Sequence, residues 1–89
     1  MYNENMFWFI IGWLAATLST IQFIPQVVKS LKTKETKDLS LGTFLIIVAA
    51  ASSWILHGIY KEDAVIITAN ILALVSALII VALKIIYKK

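Results

Sequence analysis

The sequence predicts an all-α membrane protein, a single domain built as a bundle of three transmembrane helices. Three observations carry that expectation. Of its 89 residues 61% are hydrophobic, and mean hydropathy is +0.90. A chain this short has too little interior to hide so much apolar surface, so part of its solvent must be lipid. The apolar residues also fall into three runs, about 7–28, 41–60 and 64–87. Each is close to the roughly 20 helical residues that cross a hydrocarbon core of about 30 Å. Lastly, the lysines gather between the runs and from residue 84 onward, with none in the middle of a run.

The first run is read as a retained span. Residues 1–6 hold Glu4 and no Lys or Arg, whereas a signal peptide opens on a basic segment. Neither end shows a lipidation motif. No run has a charged side chain in its middle. Lipid offers the backbone no hydrogen-bond partners, so each run must satisfy itself as a helix. A closed barrel would need many alternating strands, which the sequence does not contain.

The segment 29–40 is the longer, polar connection, and 61–63 is a tight turn. Tyr2, Trp8, Trp13, Tyr60 and Tyr87 fall near span ends, as an aromatic belt requires. Lys29, Lys32, Lys34 and Lys37 lie in the first connection, with Lys84, Lys88 and Lys89 at the C-terminus. Lys61 stands alone on the opposite side. The positive-inside rule then places the long connection and the C-terminus in the cytoplasm and the N-terminus outside.

Several function classes drop out. Cysteine is absent, histidine occurs once, and no span carries a mid-membrane carboxylate. There is no metal-ligand spacing and no glycine-rich phosphate loop. Neither an enzyme, a metal nor a cofactor is expected. The lysine connection faces lipid headgroups rather than nucleic acid, since no aromatic residues interleave its charges.

Three packed helices fill their own centre, so a path for a solute larger than an ion requires a second copy. A parallel homodimer would set six helices around a two-fold axis along the membrane normal. Small residues allow close helix approach: Gly12, Ala15 and Ala16 on the first span, 49–53 on the second, and Ala69, Ala73 and Ala77 on the third.

Polar groups within the spans each need a partner or a task. They are Ser19, Thr20, Gln22, Gln26, Ser52, Ser53, Trp54, His57, Thr68, Asn70 and Ser76. Asn70 near the start of the third span and Trp54 near the end of the second fall at one depth, about 9 Å below the outer surface. An indole face stacks on the C–H face of a sugar, and an amide pairs with its hydroxyls. The competing readings are a packing aromatic and an interhelical hydrogen bond. His57 and Lys61 follow Trp54 on one helical face, and Asp63 lies in the turn. Asp63 is placed to pair with the partner subunit's Lys61 and close an outer mouth; as an exposed loop pair it would be worth very little. Ser19, Gln22 and Gln26 form a polar stripe on the inner half of the first span, where Gln22 either lines a lower cavity as a substrate contact or bonds another helix. Pro25, the sole proline, removes a backbone hydrogen bond, so a kink beside Phe23 is expected. The kink is either an inner hinge or a helix stop.

The stretch Phe23-Ile24-Pro25-Gln26, continued by the polar residues 34–40, resembles the signature of PQ-loop proteins. Residues 53–60 followed by Ile67-Thr68-Ala69-Asn70 resemble the SemiSWEET branch of bacterial sugar transporters. The resemblance covers nearly the whole chain from Gly12 onward. It implies a three-helix protomer with spatial order first–third–second span, pairing as a parallel homodimer in a bacterial inner membrane. It also implies one central pocket that passes mono- or disaccharides, such as glucose or sucrose, down their gradient by alternating access. The family's pocket residues fall on Trp54 and Asn70, and its hinge on Pro25 with Gln26. The outer gate falls on His57, Lys61 and Asp63, the first a departure from the family's usual Tyr. The inner gate falls near Phe23 and Phe44. The lack of a buried carboxylate fits uniport rather than proton coupling. The alternatives are a PQ-loop carrier of another small polar solute, or a small membrane scaffold without transport.

Overall fold

The computed structural model describes residues 4–87. Tyr2, Lys88 and Lys89, assigned above to the aromatic belt and the basic tail, lie outside the described residues. Four helices follow in order: α1 (Glu4–Ile21), α2 (Ile24–Thr33), α3 (Leu41–Lys61) and α4 (Ala64–Ile86). Together α1 and α2 make the first span, so three segments are long and apolar enough to cross a membrane. The protein is a multi-pass membrane protein.

The first span, expected over 7–28 with a kink beside Phe23, is broken there into two helices. Its ladder breaks at Gln22 and Phe23, where the Phe23 amide donates to the Thr20 carbonyl at 3.1 Å in a tighter turn. Pro25 has no N–H to give to Ile21. It sits instead in the first turn of α2, where that N–H has no intrahelical role. The proline therefore interrupts the span and starts a new helix; it does not stop it. The helix then runs on to Thr33, so Lys29 and Lys32, expected in the connection, are helical. Ile24, Val28 and Leu31 line one exposed face of α2, while Ser30 is buried on another. This two-sided pattern supports a helix along the membrane boundary. Lys34 ends α2 in the left-handed conformation (φ 57°), its amide donating to the Ser30 carbonyl at 2.9 Å.

The α3–α4 hairpin is capped at each junction. The Ser40 hydroxyl accepts from the Thr43 amide at 3.1 Å and opens α3. Glu62 closes it with φ 54°, and Asp63 opens α4 by accepting from the Ile66 amide at 3.1 Å. Gly58 lets the two helices close up here: a Cβ on it would stand 2.9 Å from Ile66 Cγ2 and 3.0 Å from Ile67 Cγ1.

The third span lies between the other two. It packs extensively on α3 and less so on α1 and α2, while α1 and α3 do not touch. The Cα framework measures 54 × 25 × 13 Å, so the spans form a shallow trough with α4 as its floor. This is the first–third–second order that the resemblance implied. The core sits near the lysine-rich end, where Phe44, Ala77 and Ile80 are buried beneath Phe23, Val27, Leu39 and Ile47. Elsewhere small residues set the contacts, with Ala16 and Ala51 buried. Only 6%, 17% and 11% of the apolar windows of the three spans are covered within the protomer.

Candidate functional site

Because α1 and α3 stand apart, a groove runs between them along the trough. Thr43, Ile47, Ala50 and Trp54 follow one another on one face of α3, at the i, i+3/i+4 spacing of a helix. Gly12, Ala15 and Ser19 do the same on α1, and the line continues through Gln22 and Gln26 across the break.

The upper part of the groove is a hollow of about 340 Å³. Trp54 forms the α3 wall, Asn70 and Ala69 the floor, and Gly12, Ala15 and Ser19 the α1 wall. Trp54 and Asn70, matched in depth by the sequence, therefore share one cavity. Trp54 is 51% exposed, so the protomer leaves much of its ring uncovered. The Asn70 amide donates from Nδ2 to the Ile66 carbonyl at 2.8 Å, one turn back. That bond engages one of its two N–H groups and orients the side chain from its own helix, not from a neighbouring one.

Trp54 meets His57 in a T-shaped contact, with ring centroids 5.6 Å apart and planes at 85°. The pair lines a hollow of about 310 Å³ with Ala50 and Ser53. The other outer-gate candidates have local tasks in the protomer. Lys61 Nζ lies 5.7 Å from the centre of the Tyr60 ring, and Asp63 is the N-cap of α4.

The lower part of the groove, about 440 Å³, lies between the break and the start of α3. Gln22, Phe23 and Gln26 face Thr43, Phe44 and Ile47 across it, with Leu39 at its edge. Gln22 thus lies in a different hollow from Trp54 and Asn70, and shares it with the inner-gate candidates Phe23 and Phe44. Phe44 is buried in the core, whereas Phe23 is partly buried against it.

Most hydroxyls in the spans bond their own helices one turn back. Thr20 donates to the Ala16 carbonyl at 2.9 Å, Ser52 to Val48 at 2.8 Å, Ser53 to Ala49 at 2.9 Å and Ser76 to Leu72 at 2.8 Å. These groups are satisfied without a solute. The sequence does not announce the α1 wall of the hollow: Gly12, Ala15 and Ser19 carry there the pattern of packing residues and of a polar stripe. Their spacing was visible, but which side of α1 meets α4 and which faces the groove follows only from the packing.

The chain is similar to known proteins along nearly its full length. Residues 7–67 match the PQ loop repeat family. A sugar transporter SemiSWEET of Bradyrhizobium diazoefficiens is 37% identical over 88% of this chain and 91% of its own length. A crystal structure of a bacterial homologue of SWEET transporters superposes with a TM-score of 0.84 at 32% identity, covering 88% of this chain and 94% of that one. A crystal structure of SemiSWEET in the inward-open conformation gives 0.78 at 29%, covering 89% and 85%.

Proposed function

The chain belongs to the PQ-loop family, in its SemiSWEET branch, and on that premise we propose that it is one half of a sugar transporter. Two copies pair in parallel, groove to groove, and enclose one central pocket. Monosaccharides or disaccharides such as glucose or sucrose pass through it down their gradient, by uniport and alternating access. The observation that carries this reading is the hollow shared by Trp54 and Asn70. It joins a flat apolar ring to an amide with donor and acceptor capacity, the combination a sugar ring requires. The groove is open along its length and the indole is half uncovered, so a facing copy completes the walls.

Residues fall into roles by level. Trp54 and Asn70 bind the sugar. His57, Lys61 and Asp63 stand at the outer mouth, and Phe23 and Phe44 at the inner one. The break before Pro25, with Gln26, is the hinge on which α2 swings. Gln22, one hollow below the Trp54 level, meets the sugar on its way out. The relative solved in an inward-open conformation supports a cycle of alternating states. The chain is set in a bacterial inner membrane, with its N-terminus outside and its lysine-rich end in the cytoplasm.

Uptake of labelled sugar into proteoliposomes tests the pocket. Asn70→Ala removes the amide and is expected to abolish uptake while leaving the dimer intact by size-exclusion chromatography. Undiminished uptake would place the binding site elsewhere. An amino-acid carrier would be expected to place a charged group beside Trp54 for its ionised substrate, and the Trp54–Asn70 hollow is lined by neutral residues.

A further inference from the structure

At the lysine-rich end, one lysine points inward. Lys84, in the last turn of α4, is half-buried, and its ammonium donates to the Thr36 carbonyl at 2.7 Å, across 48 positions of sequence. Thr36 is 1% exposed. Its carbonyl also accepts from the Leu39 amide at 3.0 Å, so both its lone-pair directions are engaged. A lysine at a helix end in a membrane ordinarily extends to the headgroups. Lys84 instead ties the connection between α2 and α3 to the floor of the trough.

The tie is placed to shape the groove. The turn closed by Thr36 and Leu39 presents Asp38, Leu39 and Ser40 to the lower hollow, opposite Gln22 and Gln26. Leu39 also packs against the core of Phe44, Ala77 and Ile80. The loop wall of the lower hollow is thereby fixed to α4 by a charged hydrogen bond and an apolar contact. The facing wall hangs from the break at Gln22 and Phe23, and the N-cap position of α2, Phe23, makes no side-chain cap bond.

We propose that Lys84 is a positioning residue for transport: through the Thr36 carbonyl it holds the loop wall of the lower hollow still, so that this end opens by movement of α2 alone. The inference deepens the reading of the groove as a transport path and rests on it. Its consequence is local. Without the ammonium, the 36–39 turn lifts from α4 and the lower hollow stays open to water, while the Trp54 level is undisturbed.

The natural absence of cysteine gives a direct test that needs no sugar. Thr36→Cys, at a buried position whose backbone carbonyl still takes the Lys84 bond, reports on the 36–39 turn, and Ser53→Cys on the hollow beside Trp54 and His57, each labelled in detergent with a water-soluble maleimide. Lys84→Met is expected to speed labelling at Thr36→Cys by roughly tenfold, as loss of a charge-assisted hydrogen bond predicts. Labelling at Ser53→Cys stays at the parent rate, and Lys84→Arg, still a cationic donor, keeps most of the protection. Parent-rate labelling of Thr36→Cys in Lys84→Met overturns the proposal. So does acceleration at both reporters, which marks general loosening, or an arginine variant as unprotected as the methionine one. Because the readout is labelling, a failure to transport any sugar would refute the transporter reading and leave this result separately legible.

Discussion

The two sides of the trough are built on opposite plans. The α3–α4 side is a closed hairpin: Ser40, Glu62 and Asp63 cap its helix ends, and Gly58 brings the backbones together. The α1–α2 side is interrupted at Gln22 and Phe23, has no side-chain cap where it resumes, and packs on the rest of the protein chiefly along α4. Trp54 and Asn70 belong to the closed side, whereas Gln22, Phe23 and Gln26 belong to the interrupted one. The difference teaches a division of labour. A binding surface needs side chains held at fixed positions, and a gate needs an element whose movement breaks few contacts.

Glycine separates the two plans most sharply. Gly58→Ala drives a Cβ to within 2.9 Å of Ile66, a β-branched side chain with little room to turn. The expected loss is about 1–3 kcal/mol of stability, seen as a lowered thermal midpoint of the detergent-solubilised protein. Gly12→Ala, whose nearest contact is Val65 at an ordinary 3.4 Å, is expected to leave that midpoint nearly unchanged. Equal effects of the two would erase the distinction.

Pro25→Ala restores the missing N–H and lets α1 run into α2. With the break healed, uptake is expected to slow by about tenfold, equivalent to roughly 1.4 kcal/mol on the barrier, with dimerisation unaltered. Wild-type uptake in this variant would remove the hinge from the account. A smaller effect sharpens the role of Asp63. Asp63→Ala should cost about 1 kcal/mol of stability through the lost cap, while Asp63→Asn, an equally good cap, should be neutral. A change in uptake rate for the asparagine variant would isolate the outer-gate contribution of the charge from the cap.

Much of this was legible in the sequence, for definite reasons. Span lengths follow from bilayer thickness, so three apolar runs announce the three segments long enough to cross a membrane. Trp54 and Asn70 were matched by counting helical rise from a shared turn, and counting works there because the turn is short and the helices are regular. Across the break it fails. The interruption at Gln22 and Phe23 spoils helical counting, and α2 reaches Thr33 because an amphipathic helix at a membrane boundary tolerates lysines that a spanning helix does not. Gln22, expected to line a lower cavity, shares its hollow with Phe23 and Phe44 and not with Trp54 and Asn70. The contact between Lys84 and Thr36 joins residues far apart in sequence through a backbone carbonyl, which leaves no residue-type signature.

The central claim is that the hollow of Trp54 and Asn70 is half of a sugar pocket. Uptake of labelled glucose and sucrose into proteoliposomes, for the wild type and for Trp54→Ala, tests it most directly. The account predicts saturable uptake of at least one sugar without a pH gradient, lost in the variant while the dimer persists. Absence of uptake for both sugars by an intact wild-type dimer, or uptake that survives in Trp54→Ala, would contradict it.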